Sequence, residues 1–129
     1  MSDIYLTRLK ALRDFGFPLA KQMEHEGRLD FEWFMSECGT YGCLLGWWAT
    51  TEYAKNDGWC FENTTPCWGE DGPYDADDAD NYFDISLEDR ISLFGGSEEG
   101  TLEYRKIYLE HLIAKRELRS FVNWRTPHA

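Results

Sequence analysis

Glycine, proline and aspartate crowd one stretch of this chain, residues 58–80, and that stretch limits what the chain can fold into. Glycine and proline interrupt helices and aspartate favours turns, so regular structure is disfavoured there. We therefore expect a long irregular acidic loop at about residues 57–85. The loop can contain a short β-hairpin that pairs residues 59–62 with residues 66–68.

The residues before this loop have the spacing of helices. Asp3 or Ser2 can cap a first helix whose apolar side chains recur at helical intervals, and we expect this helix to stop near Gly16. Pro18 suits the first turn of a second helix, which Gly27 ends. A third helix is expected from residue 41, after Thr40 as its cap, to about residue 55.

Two more helices are predicted after the loop. Ser86 begins a capping-box pattern, and the helix that follows ends at Gly95. Its inward side chains are expected to be Leu87, Ile91 and Phe94. The last helix is expected from about residue 98 or 102 to residue 121. Its inward stripe is predicted to be Tyr104, Ile107, Tyr108 and Leu112, with Ile113 as a further candidate, and its outer cations Arg105, Lys106, Lys115, Arg116 and Arg119.

These elements fit a single compact domain that spans residues 1–129. The length is that of one ordinary domain, and hydrophobic residues at 43% are sufficient for a core. We predict a mainly α fold of about five helices that carries the acidic loop.

Acidic residues are segregated along the chain. Residues 29–100 contain 17 Asp and Glu against two basic residues, while the flanks carry net charges of +1 and +3 and the whole chain −11. Within that range residues 38–47 are neutral, so the asymmetry belongs mainly to residues 57–90. A concentrated negative field attracts basic partners.

The same charge argues against direct nucleic-acid binding, because an isoelectric point of about 4.6 predicts repulsion of a phosphate backbone. A basic cluster on the last helix is a possible local exception. It can equally contact the acidic segment within the fold or across a homodimer formed through the last helix. The cluster is Lys115, Arg116, Arg119 and Arg125.

The N-terminus lacks the charged and apolar regions of a signal peptide, and no apolar run reaches the roughly 18 residues of a membrane span. We therefore expect a cytoplasmic protein without membrane contact, with reduced cysteines.

Residues 38–47 form a compact pattern, Cys-Gly-Thr-Tyr-Gly-Cys-Leu-Leu-Gly-Trp. On one helix, Gly42 and Gly46 would share a face, and Cys43 and Trp47 would point at the core, so we interpret the block as a packing motif. It resembles a C-G-T-x-x-C-x-x-G-W block in small uncharacterised proteins of bacteriophages and prophages. Their later L-x-L-S-x-x-x-A-x-x-L-F segment is similar to residues 83–94, except that Ile91 stands where a small residue is usual.

The family has no assigned activity. The resemblance implies a phage-encoded protein in the cytoplasm of a bacterial host, and little chemistry.

The four cysteines leave several possibilities open. Four sulfurs can bind zinc, but the spacings of four and six residues within the pairs are poor for a zinc knuckle. A bridge between the second pair is sterically possible, although a cytoplasmic setting favours free thiols. The candidate ligands are Cys38, Cys43, Cys60 and Cys67.

The acidic run suggests two further alternatives. A calcium loop needs a central glycine and a glutamate at its twelfth position, and the run provides neither from Asp75 or Asp78. A hydrolase with paired carboxylates is conceivable, but so many acidic residues make no pair distinctive. We assign no catalytic residue and expect no cofactor.

Recognition of a basic protein surface is the function that we predict. The protein would be non-enzymatic, and it would inhibit a host defence or nucleic-acid-processing complex, with its carboxylates imitating a phosphate backbone. Aromatic side chains within the field would act as anchors. The predicted partner-binding residues are Asp71, Asp75, Asp77, Asp78, Asp80, Asp84, Glu88, Asp89, Trp59, Trp68 and Tyr74.

Overall fold

Helices make up most of the computed structural model, which describes residues 3–30, 42–62, 65–69, 77–95 and 101–125. For residues 77 and 120–125 it describes the backbone alone. The helices are α1 (Ile4–Ala11), α2 (Phe17–His25), α3 (Leu44–Thr50), α4 (Glu52–Asn56), α5 (Asp77–Phe83), α6 (Leu87–Phe94) and α7 (Leu102–Arg125), with a π-helical turn at Leu12–Gly16. The strands are β1 (Trp59–Glu62) and β2 (Thr65–Trp68).

Helix α1 begins as expected, with the Asp3 carboxylate accepting from the backbone N–H of Tyr5 and Leu6. The predicted stop near Gly16 is wrong, because the helix continues through the π-helical turn into α2. Pro18 gives a physical reason, since its ring would clash with the carbonyl four residues earlier in a regular α-helix. The wider π turn just before Pro18 avoids this clash. It is closed by Phe17 N–H, which donates to the Leu12 carbonyl.

Gly16 lets this turn lie close to the core. A Cβ atom at this position would lie 2.8 Å from Leu12 Cδ1 and 3.2 Å from Trp48 Cε3. Gly27, by contrast, is needed for its backbone, since its φ of +73° ends α2 in the predicted place.

The predicted third helix is divided in two. Thr51 has extended backbone angles between α3 and α4, and its hydroxyl accepts from Ala54 N–H as the cap of α4. The N-cap of α3 is Cys43, whose sulfur accepts from Gly46 N–H at 3.4 Å. Gly42 precedes the helix and forms a bridge with Leu29, so the expectation that Gly42 and Gly46 share one helix face is wrong. The expected cap Thr40 lies outside the described residues.

The predicted hairpin is confirmed. Strands β1 and β2 are antiparallel, with Trp59 opposite Trp68 and Cys60 opposite Cys67. The stretch expected to be irregular also contains a helix, α5, which the sequence reading missed because it placed no helix among so many aspartates.

The core is centred on Trp48, which is fully buried. Its ring lies 5.8 Å from those of Tyr53 and Phe83 and 6.1 Å from that of Tyr82, measured between centroids. Side chains from α1, α2, α6 and α7 complete this core, so helices before and after the hairpin share one hydrophobic centre.

The orientation predicted for the last two helices is wrong in part. On α6, Leu87 and Ile91 are more than half exposed, while Leu93 and Phe94 are buried. On α7, Tyr104 and Ile107 are exposed. The buried side chains of α7 are Leu102, Arg105, Leu109 and Ile113.

Arg105 explains why the stripe on α7 was misplaced, because a cation was assumed to face solvent. It is 1% exposed and donates to the carbonyls of Leu93 at 2.8 Å and Gly95 at 2.5 Å. These carbonyls lie at the C-terminal end of α6, where helices leave acceptors unsatisfied. Burial lowers the pKa of Arg105.

No helix among the described residues is long and apolar enough to span a membrane.

Candidate functional site

Residues 57–90, the acidic segment, are joined to α1 through Arg8, whose guanidinium lies among aromatic rings. Its guanidinium carbon lies 4.3 Å from the ring centroid of Tyr82, 5.0 Å from that of Trp68 and 5.6 Å from that of Tyr5. These distances are in the range of cation–π contact. Arg8 also donates to the Tyr82 carbonyl at 2.9 Å, and its Nε lies 3.4 Å from Asp57 Oδ2.

Asp57 links this cluster to the hairpin. Its carboxylate accepts from the Tyr82 hydroxyl at 2.6 Å, and its backbone carbonyl accepts from Trp68 Nε1 at 2.9 Å. Burial, followed by the hydrogen bond to the Asp57 carboxylate, raises the pKa of Tyr82 far above its ordinary value. The cage of rings therefore holds a cation of the same chain.

Four of the predicted partner-binding carboxylates, Asp78, Asp80, Asp84 and Asp89, have partners inside the fold. Asp78 accepts from the backbone N–H of Trp68 at 3.1 Å, so it fixes β2 to α5. Asp80 lies 2.8 Å from Arg90 Nε, and both side chains are less than one-fifth exposed. Asp89 accepts from the Tyr108 hydroxyl at 2.6 Å, which joins α6 to α7.

The predicted aromatic anchors Trp59 and Trp68 differ in how far they are buried. Trp59 is 3% exposed and packs edge-on against Tyr82, with ring centroids 5.3 Å apart. Trp68 is half-buried beside Arg8. Asp71, Tyr74 and Asp75 lie outside the described residues, and of Asp77 only the backbone position in α5 is described.

Asp84 and Glu88 are the predicted residues that remain at the surface. Asp84 has a φ of +53°, an uncommon backbone conformation for a residue other than glycine, in the turn between α5 and α6. Its carboxylate lies 2.9 Å from Arg116 NH2. The Glu88 carboxylate has no ion pair within the described part of the chain.

Arg116 shows how the basic last helix relates to the acidic segment. It bridges the carboxylates of Asp84 and Asp3, the latter at 2.7 Å, and lies over the Tyr5 ring. Burial opposes ionisation of Asp3, but the Arg116 hydrogen bond and the helix N–H groups outweigh it and lower the pKa of Asp3. One alternative from the sequence is thus observed, a contact within the fold. A small cavity of about 70 Å³ beside it is lined by Leu9, Asp84, Ile85, Asp89, Leu112, Lys115, Arg116 and Arg119.

A larger groove of about 600 Å³ runs between α2 and α7. The groove is lined by the buried side chains of Phe17 and Leu102 and by the exposed side chain of Ile107. Its charged lining residues are Arg13, Lys21, Lys106, Glu24 and Glu103, so their signs are mixed and they select no class of ligand.

The chemistry that these residues can perform is limited. The half-buried carboxylates of Asp57, Asp78, Asp80 and Asp89 face arginine, hydroxyl or backbone N–H groups, whereas a paired-carboxylate hydrolase needs two carboxylates facing each other. Within the described residues no group of three or more His, Cys, Asp and Glu could hold a metal ion. Of the candidate ligands, Cys38 lies outside those residues.

The other three cysteines are free thiols. Cys43 is buried at the start of α3, and burial raises its pKa. Cys60 is exposed and stands directly opposite the buried Cys67 in the hairpin. Burial, together with the neighbouring Cys60, raises the pKa of Cys67 to about 11.

We expect oxidised glutathione to convert Cys60 and Cys67 into an intramolecular disulfide. The exposed Cys60 thiolate attacks first and releases one reduced glutathione, and Cys67 then displaces the second from the mixed disulfide. The bond closes a short loop, which predicts a gain of about 2–3 kcal/mol in the free energy of unfolding. Intact mass distinguishes the disulfide from the glutathione adduct, and thermal melting measures the gain in stability. Cys60→Ser is the control. A persistent glutathione adduct on Cys60 would contradict the prediction.

Sequence reasoning missed the Arg8 cluster and Arg105. Tyr5 and Arg8 are three residues apart on a helix, which is a detectable signal for contact. The other partners of Arg8 are Asp57, Trp68 and Tyr82, which lie 49, 60 and 74 residues later, and no local spacing indicates them.

No protein-family model, curated protein or solved structure matches this chain.

Proposed function

We propose that this protein is a non-enzymatic interaction protein that uses the acidic surface of residues 57–90 to bind a basic surface of another protein. In keeping with the resemblance to phage proteins, the partner would be a protein of a bacterial host, and the setting the host cytoplasm. Inhibition of a defence or nucleic-acid-processing complex is the biological role that this chemistry fits best.

The observation that supports the proposal is the excess of acidic over basic residues within this segment. Residues 57–90 contain eleven Asp and Glu and one basic residue. Among the described residues, ion pairs bring Arg8 to Asp57 and Arg116 to Asp84 from outside this range, and Arg90 to Asp80 from within it. The excess of acidic residues in the sequence favours a negative field, which accelerates encounter with a cationic partner.

The contacts also divide the predicted residues by role. Asp78, Asp80, Asp89 and Trp59 hold the hairpin and helices together, so their replacement would alter the fold as well as any binding. Glu88 is exposed, and it is therefore the described residue best suited to test recognition. The other predicted contact residues are Asp71, Asp75, Asp77, Asp84, Trp68 and Tyr74.

The test is binding to host proteins by a variant with four neutralised carboxylates: Asp71→Asn, Asp75→Asn, Asp77→Asn and Glu88→Gln. A pull-down from bacterial lysate identifies proteins held by the unmodified chain. Calorimetry with the purified partner then measures affinity at about 50 and 300 mM salt. We expect a loss of tenfold or more for the variant and a steep loss at high salt, because exposed charges are screened.

A second variant controls for net charge alone. Asp14→Asn, Glu24→Gln, Glu26→Gln and Glu103→Gln change the net charge equally at exposed positions outside the segment. This control should bind as the unmodified protein does. Equal loss in both variants, or affinity indifferent to salt, would overturn the proposal.

A further inference from the structure

Helix α7 carries a second apolar stripe whose large side chains are more than half exposed. Tyr104, Ile107 and Leu118 are 51%, 54% and 62% exposed, which is high for large apolar side chains. They share the stripe with His111 and Ala114, which are also exposed. The five residues are spaced by alternating steps of three and four, which is the a and d pattern of a coiled coil.

The stripe lies on the side of α7 that faces away from the core. Each residue turns the side-chain direction by about 100° along an α-helix. The stripe is therefore centred about 180° from the buried face, which is formed by Leu102, Arg105, Leu109 and Ile113. A partner helix could pack along it without displacing the rest of the domain.

Charged residues beside the stripe determine which partner fits. Glu103, Glu110 and Glu117 occupy successive g positions, and Lys115 occupies an e position on the other flank. In a parallel pair of identical helices, each g residue faces the e residue five positions later on the other helix. Glu110 of one copy then faces Lys115 of the second copy, twice by symmetry. In an antiparallel pair, g faces g and the glutamates would repel one another.

We propose that α7 forms a parallel two-stranded interface with α7 of a second copy of this chain, through Tyr104, Ile107, His111, Ala114 and Leu118. The interface is isologous, so the two copies are related by a twofold axis that runs along the helices. The proposal is independent of the function of the acidic surface, which belongs to other elements of the fold.

The described stripe is short, and this sets the expected affinity. From Tyr104 to Leu118 it extends about 21 Å, and about ten residues per copy contribute, fewer than in a standard interface. His111 adds a polar residue at a central a position, which lowers stability. We therefore expect a dissociation constant on the order of 10–100 μM.

Sedimentation equilibrium of the full chain over about 2–300 μM measures this constant. Ile107→Glu and Leu118→Glu should each raise it about tenfold or more, because they place like charges opposite each other in the dimer. Ile91→Glu is the matched control, since Ile91 is equally exposed but lies on α6. It should leave association unchanged. His111→Leu should lower the constant.

A charge exchange tests the orientation. Glu110→Lys alone should weaken a parallel dimer, because it would put two lysines opposite each other, and the double variant Glu110→Lys with Lys115→Glu should restore it. An unchanged or lower dissociation constant for Glu110→Lys alone would overturn the parallel assignment. A monomer at all concentrations, or equal sensitivity to Ile91→Glu, would overturn the interface itself.

Discussion

Replacing Tyr82 by alanine is expected to lower the free energy of unfolding by about 3–5 kcal/mol. The side chain is fully buried, and its ring contacts those of Trp48, Trp59 and Trp68. Its loss leaves a cavity at the junction of the hairpin, α5 and the core. Because domains of this size are stable by about 5–15 kcal/mol, the variant should be close to unfolding. Urea denaturation followed by far-ultraviolet circular dichroism measures the change.

Tyr82→Phe separates packing from the hydrogen bond. It keeps the ring and removes the hydroxyl that donates to Asp57, so a loss of about 1–2 kcal/mol is expected. The pH profile gives a second readout. The pKa of Tyr82 is higher in the folded chain than in the unfolded one, so its stabilising contribution is complete below about pH 10 and lost as the pH rises further. Part of the alkaline loss should be absent from the phenylalanine variant. Equal stability of the alanine and phenylalanine variants would contradict this account.

Arg8→Met should lower the free energy of unfolding by about 2–3 kcal/mol. It removes the guanidinium from the faces of Tyr82 and Trp68 and the donor from the Tyr82 carbonyl at the C-terminal end of α5. The expected loss is smaller than for a fully buried ion pair, because the side chain of Asp57 is 35% exposed. Arg8→Lys keeps the charge without the planar group, so it should recover less than half of the loss.

A double-mutant cycle with Asp57→Asn isolates the ion pair. The coupling energy between Arg8 and Asp57 should be about 1 kcal/mol, with the remainder of the Arg8 effect independent of Asp57. A coupling that accounts for the whole effect would show that the aromatic contacts contribute nothing. Chemical denaturation of the four proteins under one buffer condition gives the cycle.

Local signals in the sequence were sufficient for much of the fold. Asp3, Gly27, Ser86 and Gly95 mark helix ends because capping and φ restrictions act within a few residues. The presence of the hairpin also followed from its residues. Two predictions failed: a break was expected near Gly16 and is absent, and none was expected at Thr51, where the helix is divided. Both positions depend on packing around Trp48 and not on propensity alone.

The face of a helix was the harder property to predict. On α7 the a and d stripe is as apolar as the buried stripe, and the buried stripe contains Arg105. Apolar periodicity favours a stripe without a cation, so Tyr104 and Ile107 were predicted to face the core. The carbonyls of Leu93 and Gly95, which lie at the end of another helix, accept hydrogen bonds from Arg105 and favour its burial.

The candidate site was predictable in composition but not in contacts. Charge counting located residues 57–90, yet it could not indicate that Asp78 and Asp80 bind within the fold. Those bonds join residues of different elements, Asp78 to β2 and Asp80 to α6.

The π-helical turn at Leu12–Gly16 makes the length of the N-terminal region a structural constraint. A π turn contains one residue more than an α turn, so it rotates α2 about its axis by about 100° relative to α1. With that rotation, the continuous helix packs α1 against α5 and α2 against α3. Insertion or deletion of a single residue in this turn would change the rotation of α2 about its axis relative to α1. Insertions and deletions in this turn should therefore be more damaging than substitutions at its exposed positions.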